Sequence, residues 1–144
     1  MDDFFLRPEQ RSEARLEEAG GNVDRERFFE EILLPLSQGK TVVYRPYDCS
    51  SQSLGAPISV TPKRLSVVEG VYSMHPDLSP YYDCSVFLDI DPILQRDRIQ
   101  KRNPPPLANR FFEEWIPLEN YYFTQTETRK RCLFYVSVSH HEAV

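Results

Sequence analysis

The sequence lacks the features that mark several large classes of protein. It has no CxxC pair, and its three cysteines are widely spaced: Cys49, Cys84 and Cys132. This pattern indicates neither a zinc site nor a disulfide framework, and it predicts reduced, mostly buried thiols. No apolar run reaches the roughly 18–20 residues of a membrane span, and the first residues do not have the layout of a signal peptide. A cytoplasmic protein without a membrane partner is therefore expected.

A surplus of basic residues is also missing. The chain of 144 residues carries 22 acidic and 17 basic residues, which gives a formal net charge of −5. A broad nucleic-acid-binding face would need the opposite balance, so no nucleic acid is expected among the partners. The length favours one domain, and we predict that it covers residues 1–144.

The glycine-rich loop that binds nucleotide phosphates is absent as well. Its pattern, GxxxxGK[ST], places backbone N–H groups around a phosphate and a lysine on the β- and γ-phosphates. Gly39-Lys40-Thr41 imitates the end of this pattern, but the position five residues before Gly39 is Leu34. A helical segment also precedes these residues and a strand-like run follows, which reverses the required order. We therefore predict that Gly39 ends a helix and that a strand begins at Thr41.

What the chain does contain is an alternation of strand-like apolar runs with helical segments. Strands are predicted at the end of 1–5, at 41–44, 58–60, 65–68, 85–88 and 132–136, and residues 137–144 are expected to fray. A helix capped by Asn22 or Asp24 is predicted to run to Gly39, with a kink or an early end at Pro35. Further helices are predicted from Asp91 to Asn103 and over 107–130, the latter with a bend at Pro117. The alternation favours an α/β domain with a mainly parallel sheet flanked by helices.

Acidic residues follow most of the predicted strands. They are Asp2, Asp3, Asp48, Glu69, Asp89 and Asp91. Ligands of open α/β sheets bind outside the carboxyl ends of the strands, so these carboxylates would suit a metal ion or a base that acts on a hydroxyl. The alternative is that they cap helices and solvate loops, and the Asp91-Pro92 sequence favours this for Asp91.

Six segments, in this order, resemble the uridine kinase branch of the P-loop nucleoside kinases, and in particular a bacterial uridine-kinase-like group. They are MDDFF, NVDRERF, YRPYDC, VVEG, FLDIDP and WIPLENYYF. The resemblance runs from Met1 to about Cys132. It implies a P-loop kinase-like fold and ATP-dependent phosphoryl transfer to the hydroxyl of a uridine- or cytidine-like nucleoside, with Mg²⁺. ATP and the nucleoside are then the expected partners, and a homo-oligomer is an open expectation.

The resemblance implies roles for four residues in the first half of the chain. Asp2 matches the aspartate that takes the proton from the nucleoside hydroxyl, and it lies beside the metal. Glu69 matches the acid that helps to hold Mg²⁺, usually through water. Asp24 matches a residue that binds ribose hydroxyls, and Tyr47 matches an aromatic residue that packs near the base. For Tyr47 simple half-burial is the alternative.

Two arginines receive roles in the same way. Arg98 and Arg102 match lid arginines that close on the triphosphate, and the lid spans about 95–107. A guanidinium fork suits phosphate geometry and stabilises the charge that develops during transfer. The alternative is an exposed helix face with partners one turn away.

Two departures from the family pattern modify these expectations. In the family, a strand, the phosphate loop and a helix precede the MDDFF position, whereas this sequence begins at that methionine. We expect a fragment, a rearranged fold, or a place filled by another chain. The loop after the PYD position reads CSSQSLGAP, with Gln52 and no histidine, so pyrimidine recognition does not follow.

Three hypotheses on function result, and the third, a stable interaction domain with no ligand, leaves the acids at strand ends unexplained. The first is a nucleoside kinase that is impaired by the missing phosphate loop. The second is a non-catalytic remnant, either a nucleoside-binding protein or a subunit that pairs with a complete kinase.

Overall fold

The computed structural model describes residues 1–139, and it divides the chain into two units, Met1–Tyr82 and Asp83–Val144. Most of the predicted frayed tail, including His140 and His141, lies outside the described residues. Ser137 and Val138 are described, and they belong to a strand, so the prediction of fraying from Ser137 onward is wrong at its start.

The first unit mixes short helices with two small sheets. Its 3₁₀ turns are Asp2–Phe4, Pro8–Gln10 and Ser79–Tyr81, its α-helices are α1 (Glu13–Glu17), α2 (Arg25–Phe28) and α3 (Leu34–Ser37), and a π turn covers Phe29–Leu33. Its strands are β1 (Val42–Tyr44), β2 (Tyr47–Asp48), β3 (Ser53–Leu54) and β4 (Ile58–Val60). Both β1–β4 and β2–β3 are antiparallel pairs. The predicted strands at 41–44 and 58–60 are thus confirmed.

The core of the first unit forms around the first residues of the chain. Phe4 is buried, and its ring lies 5.0 Å from the ring of Phe28 and 5.4 Å from that of Tyr44. The backbone N–H of Asp24 donates to the carbonyl of Phe4 over 2.7 Å, which ties the start of α2 to this segment. The predicted strand end at 1–5 is wrong, because residues 2–4 form a 3₁₀ turn.

The predicted buried strand at 65–68 is also wrong. These residues form no strand, and the side chains of Leu65 and Val67 are 78% and 80% exposed. An apolar run of this kind becomes a buried strand only where neighbouring strands pair with it and layers cover its faces. Within the described residues of the first unit, no strand pairs with it.

The second unit carries the parallel pair among the described strands. Strand β5 (Val86–Ile90) pairs with β6 (Phe134–Val138) in parallel, with Val86 opposite Phe134. Its helices are α4 (Pro92–Arg102), α5 (Pro105–Arg110), α6 (Ile116–Gln125) and α7 (Thr128–Arg131), and a π turn covers Phe111–Trp115. The predicted strand–helix–strand order is confirmed here. The prediction of a mainly parallel sheet needs correction, since two of the three described strand pairs are antiparallel.

Both predicted helix bends coincide with π turns. The turn Phe29–Leu33 ends two residues before Pro35, and the turn Phe111–Trp115 ends two residues before Pro117. Proline has no N–H to donate, and its ring collides with the carbonyl four residues earlier. A wider i→i+5 turn removes that conflict without ending the helix. The prolines therefore modify these helices instead of breaking them.

The cysteines differ from the prediction of buried thiols. Cys49 and Cys84 are exposed, and Cys132 is intermediate. In residues 1–139, no helix has both the length and the apolar character needed to cross a membrane.

Candidate functional site

A cavity of about 250 Å³ opens in the first unit beside the first residues of the chain. It is lined by Met1, Asp3, Phe4, Phe28, Ile32, Tyr44, Val67, Val68 and Glu69. The backbone nitrogen of Met1 donates to the carbonyl oxygen of Glu69 over 2.5 Å, and this bond brings residues 67–69 against the first turn. The cavity therefore joins two segments that are about 68 residues apart in sequence.

Glycine at position 70 is what permits this close approach. Gly70 has a φ of +140°, a conformation that is essentially restricted to glycine. A Cβ built there would lie 2.9 Å from Cβ of Met1 and 3.0 Å from its nitrogen. Glu69 therefore lies at the cavity because the next residue, Gly70, is a glycine and permits this backbone conformation.

Two acidic residues, Asp3 and Glu69, line this cavity. Asp3 is partly buried, and its Oδ2 accepts a hydrogen bond from the hydroxyl of Tyr44 over 3.1 Å. Burial raises the pKa of Tyr44, and the hydrogen bond to Asp3 and its negative charge add to the rise. Tyr44 therefore remains a donor that fixes the orientation of the Asp3 carboxylate at neutral pH.

Asp2, the residue predicted to act as base, is placed differently. Its side chain is exposed, and it is not among the described residues that line the cavity. Neighbouring residues of a 3₁₀ turn point about 120° apart, so Asp2 and Asp3 cannot both face the same space. The acid that shares the cavity with Glu69 is Asp3, and the role of Asp2 stays a prediction.

A buried arginine holds the segment that carries Asp3. Arg27 is 9% exposed, and its Nη2 donates to the carbonyl of Asp3 over 3.0 Å. Its Nη1 donates to the carbonyl of Arg45 over 2.8 Å and to the carboxylate of Glu31 over 3.2 Å. The guanidinium also lies over the ring of Phe4, 4.2 Å from the ring centre. One side chain thus links α2, the first turn and the end of β1.

Asp24, the predicted ribose-binding residue, is 2% exposed. Its Oδ1 caps α2 by accepting from the backbone N–H of Arg27 over 3.1 Å, so Asp24 is the cap of the two predicted candidates, Asn22 and Asp24. Its Oδ2 accepts from the side-chain amide of Gln10 over 2.9 Å and lies 3.5 Å from Nε of Arg27. A ribose hydroxyl would have to replace the Gln10 contact, and the ribose-binding role stays a prediction.

Tyr47, the predicted base-packing residue, is 5% exposed at the start of β2. Its hydroxyl accepts from Nη2 of Arg11 over 2.8 Å, and that guanidinium also donates to the carbonyl of Leu6. The side chain is more deeply buried than the half-burial considered as the alternative. Its role in packing near a nucleoside base stays a prediction. Gln10 contacts Asp24 and Arg11 contacts Tyr47, so one short loop reaches both predicted substrate-binding residues.

The remaining acids at strand ends serve local roles. The carboxylate of Asp48 accepts from Ser50 and Ser51, and these hydrogen bonds lower its pKa to about 2. Asp91 caps α4 by accepting from the N–H groups of Ile93 and Leu94, as its alternative interpretation predicted. Asp89 belongs to the second unit and pairs with Arg129 over 3.0 Å. In the part of the chain that the structure describes, no group of three or more His, Cys, Asp or Glu could hold a metal ion.

The predicted lid lies in the second unit and contains most of α4 and the start of α5. Arg98 is exposed, and no hydrogen bond or ion pair is seen for it among the described residues. Arg102 is exposed, and its guanidinium lies 5.7 Å from the ring centre of Phe111. Both arginines are accessible on their own unit, and their role on a triphosphate stays a prediction.

The Gly39-Lys40-Thr41 segment is a helix end, as predicted. Gly39 has a φ of +65°, the left-handed conformation typical of a helix C-terminus. The N–H of Lys40 donates to the carbonyl of Pro35 over 2.9 Å, and β1 follows at Val42. These residues do not form a phosphate-binding loop.

Sequence reasoning missed the structural importance of Arg27 and Tyr44. Arg27 does carry a signal, since it lies three residues after Asp24 and four before Glu31, the spacings at which helical side chains meet. Tyr44 has no comparable signal, because its contact with Asp3 spans 41 residues and depends on the fold.

Comparison with known proteins supports the fold and leaves the family open. No protein-family model matches the chain, and no curated protein matches it. The solved structure of a possible uridine kinase from Bacillus stearothermophilus is similar over 94% of this chain and 68% of its own, with a TM-score of 0.67 and 20% sequence identity. The likeness shows a P-loop kinase-like α/β fold.

Proposed function

We propose that the chain is a nucleoside kinase-like phosphotransferase component whose first unit binds and orients the acceptor hydroxyl. The observation that carries this proposal is that Asp3 and Glu69 line one cavity in a chain with the fold of a possible uridine kinase. The substrate class comes from the resemblance described above and from the activity suggested for that structural neighbour. A uridine- or cytidine-like nucleoside is therefore the first ligand to test.

In this proposal the Asp3 carboxylate accepts the proton of the acceptor hydroxyl. The hydrogen bond from Tyr44 leaves Oδ1 of Asp3 available, since it engages Oδ2. A fixed carboxylate aligns the hydroxyl for in-line attack, which is most of what a protein contributes to phosphoryl transfer. Asp2, one residue earlier, is the competing candidate that the resemblance favours.

The residues of the cavity fit Mg²⁺ better than they fit a triphosphate. Mg²⁺ is commonly held by one or two carboxylates, with waters and substrate phosphates completing the octahedron, and Glu69 would supply one while Asp3 serves the acceptor hydroxyl. MgATP, when bound, supplies the phosphoryl group. The sequence has no GxxxxGK[ST], and the GKT segment is a helix end, so no phosphate cradle is assigned in residues 1–139.

Because no phosphate cradle is assigned in residues 1–139, a second candidate is favoured. It is a nucleoside-binding subunit that has no turnover of its own. Such a subunit would keep the acceptor cavity and depend on another polypeptide for the donor. The exposed, unpaired segment 65–68 supports the idea of an incomplete surface in the first unit.

Calorimetry separates the two candidates. The purified chain is titrated with uridine, cytidine and adenosine, and separately with MgATP, and phosphoryl transfer is followed with labelled ATP. Binding of both ligands with turnover supports the kinase, and nucleoside binding without MgATP binding supports the subunit. Binding of neither ligand would overturn both.

Matched variants then locate the acceptor site. Asp3→Asn and Glu69→Gln should each weaken Mg²⁺-dependent binding or turnover, while Asp2→Asn should leave both close to the wild-type level. If Asp2→Asn has the larger effect, the base is Asp2, as the resemblance implies, and not Asp3, as the cavity lining suggests.

A further inference from the structure

Residues 7–11, which we call the strap, cover two buried polar side chains of the first unit. The side-chain amide of Gln10 donates to Oδ2 of Asp24 over 2.9 Å, and Nη2 of Arg11 donates to the hydroxyl of Tyr47 over 2.8 Å. Asp24 is 2% exposed and Tyr47 is 5% exposed. Since groups buried this deeply do not meet a ligand from solvent, neither side chain is available while the strap keeps this position.

The strap is a preformed turn. Pro8–Gln10 is a 3₁₀ turn, and Oε1 of Gln10 accepts from both the backbone N–H and Nε of Arg7, each over 3.0 Å. Within the described part of the chain, the backbone hydrogen bonds of residues 8–11 stay inside segment 7–12. These bonds fix the amide of Gln10 so that its NH₂ group is the one that meets Asp24. None of them needs to break when the strap moves as a whole.

Polar contacts of two side chains attach the strap to the rest of the unit. Besides the bonds to Asp24 and Tyr47, Nε and Nη2 of Arg11 both donate to the carbonyl of Leu6. All three residues of the turn are partly or fully exposed, so they add little apolar packing. A segment with few buried apolar contacts opens at a far lower free energy than the unfolding of the whole unit requires. The strap can therefore move while the unit stays folded.

The contacts that the strap makes can be replaced by a ligand, whereas the other contacts of Asp24 belong to the fold. Oδ1 of Asp24 caps α2, and its backbone N–H donates to the carbonyl of Phe4. The amide of Gln10 is a neutral donor, and a ligand hydroxyl can donate to Oδ2 in its place. The ring of Tyr47 offers apolar surface and its hydroxyl a polar end. Together the two uncovered side chains fit a neutral ligand that carries hydroxyl groups beside a planar ring.

We propose that the strap is a closed lid over Asp24 and Tyr47, which swings away as one turn to admit such a ligand. The identity of the ligand rests on the proposed function, because a nucleoside joins a hydroxyl-bearing ribose to a planar base. The strap adds control of access, since the apparent affinity is reduced by the fraction of molecules whose strap is open. Gln10 is then a positioning residue of the closed state.

Limited trypsin digestion of the full chain measures the opening of the strap without any ligand. Trypsin must take the side chain of Arg11 into its own pocket, so cleavage between Arg11 and Ser12 requires release from Tyr47. When opening and closing are fast compared with cleavage, the rate follows the open population. Gln10→Ala should raise this rate at least about threefold, because a hydrogen bond of the closed state is lost. An unchanged rate would overturn the proposal.

Two controls separate a moving strap from a loosened unit. Gln38→Ala, which changes an exposed glutamine of the same unit, should be cleaved after Arg11 at the wild-type rate. Cleavage after the exposed Arg64 reports on the unit outside the strap. If Gln10→Ala raises both rates by the same factor, the strap does not open by itself and the proposal is wrong. Gln10→Glu, which sets a like charge against Asp24, should open the strap at least as much as Gln10→Ala does.

Calorimetric titration with uridine distinguishes a failure of the strap from a failure of the proposed function. Gln10→Ala should bind uridine at least about threefold more tightly than the wild type, because a larger fraction of the chain is already open. Equal or weaker binding by a variant that is cleaved faster would mean that the strap guards no ligand site, and it would overturn the proposal. If neither chain binds uridine, cytidine or adenosine, the proposed function fails, and the cleavage rates alone decide whether the strap opens as proposed.

Discussion

The hydroxyl of Tyr44 donates a hydrogen bond to Oδ2 of Asp3 over 3.1 Å, and this contact joins β1 to the first turn of the chain. It orients the carboxylate that we assign to the acceptor cavity. Because the two residues lie 41 positions apart, the contact also reports whether the first unit has folded correctly.

Tyr44→Phe should lower the free energy of unfolding of the first unit by about 1 kcal/mol at pH 7, since one partly buried hydrogen bond is lost. The pKa of Tyr44 is raised in the folded state, chiefly by burial. The raised pKa contributes to the free energy of unfolding. This contribution is fully present below the ordinary tyrosine pKa and is lost as pH rises through the raised value. Urea unfolding followed by circular dichroism at pH 7 and above pH 10 measures both effects.

The control for this variant is Tyr81→Phe, which changes a more exposed tyrosine of the same unit. It should leave the urea midpoint almost unchanged at both pH values. An equal loss of stability in the two variants would mean that the Asp3 contact contributes nothing specific.

Arg27→Ala should be among the most destabilising single changes in the first unit. It removes a 9% exposed guanidinium that pairs with Glu31 and Asp24 and donates to two carbonyls. Removing one member of a buried ion pair leaves an uncompensated charge, and the expected loss is about 3 kcal/mol or more. Thermal unfolding measures it.

Arg110→Ala provides the comparison, because Arg110 is exposed and pairs with Glu114 one turn away. Its melting temperature should stay close to that of the wild type. If Arg27→Ala melts at the same temperature as Arg110→Ala, the network around Asp3 does not stabilise the unit.

Gly70→Ala should destabilise the first unit more than Gly39→Ala does. At Gly39, with a φ of +65°, nothing lies within 4 Å of the added Cβ, so the expected cost is backbone strain of about 1 kcal/mol. At Gly70 the φ of +140° is less accessible, and the added Cβ would meet Met1 at 2.9 Å. Denaturant midpoints of the two variants check the order, and an equal cost would contradict the close packing of residue 70 on Met1.

The second unit has its own pH dependence through Tyr122. This side chain is fully buried, and burial raises its pKa to about 12 from the ordinary 10. Because the pKa is raised in the folded state, the shift contributes its full amount to the free energy of unfolding below pH 10. This contribution, about 2–3 kcal/mol in total, is lost as pH rises toward 12. Fluorescence of Trp115, the single tryptophan in the sequence, follows unfolding of this unit.

Tyr122→Phe should show a flatter decline in stability between pH 10 and pH 12, because it has no hydroxyl to ionise. Tyr121→Phe is the control, since its neighbour Tyr121 is 46% exposed. The interpretation is contradicted if the two variants decline with the same slope.

Local chemistry made several features of the fold predictable from sequence. The capping carboxylates Asp24 and Asp91 mark helix starts because the side chain that caps is only a few residues from the N–H it accepts from. Gly39 marks a helix end for a similar reason, because the left-handed conformation typical of a helix C-terminus depends on that residue itself. The parallel pair β5–β6 follows from strand-type runs separated by helices.

Features that depend on neighbours in space could not be predicted in this way. The run 65–68 has the composition of a buried strand, but composition does not reveal whether a second strand lies beside it. The choice between Asp2 and Asp3 depends on which of two adjacent residues faces the cavity, and a 3₁₀ turn in place of a strand end changes that direction. The roles of Asp24, Tyr47, Arg98 and Arg102 stay predictions for the ligand experiments.

The π turns before Pro35 and Pro117 have a consequence for how these helices tolerate changes in length. A π turn closes its hydrogen bond over one residue more than an α-helical turn does. Deleting one residue within 29–33 or 111–115 can therefore convert the turn to α-helix while the residues on either side keep their facing. An insertion or deletion of one residue in a helix usually rotates all following residues by about 100° about the helix axis. At these two π turns one residue can be deleted without that rotation.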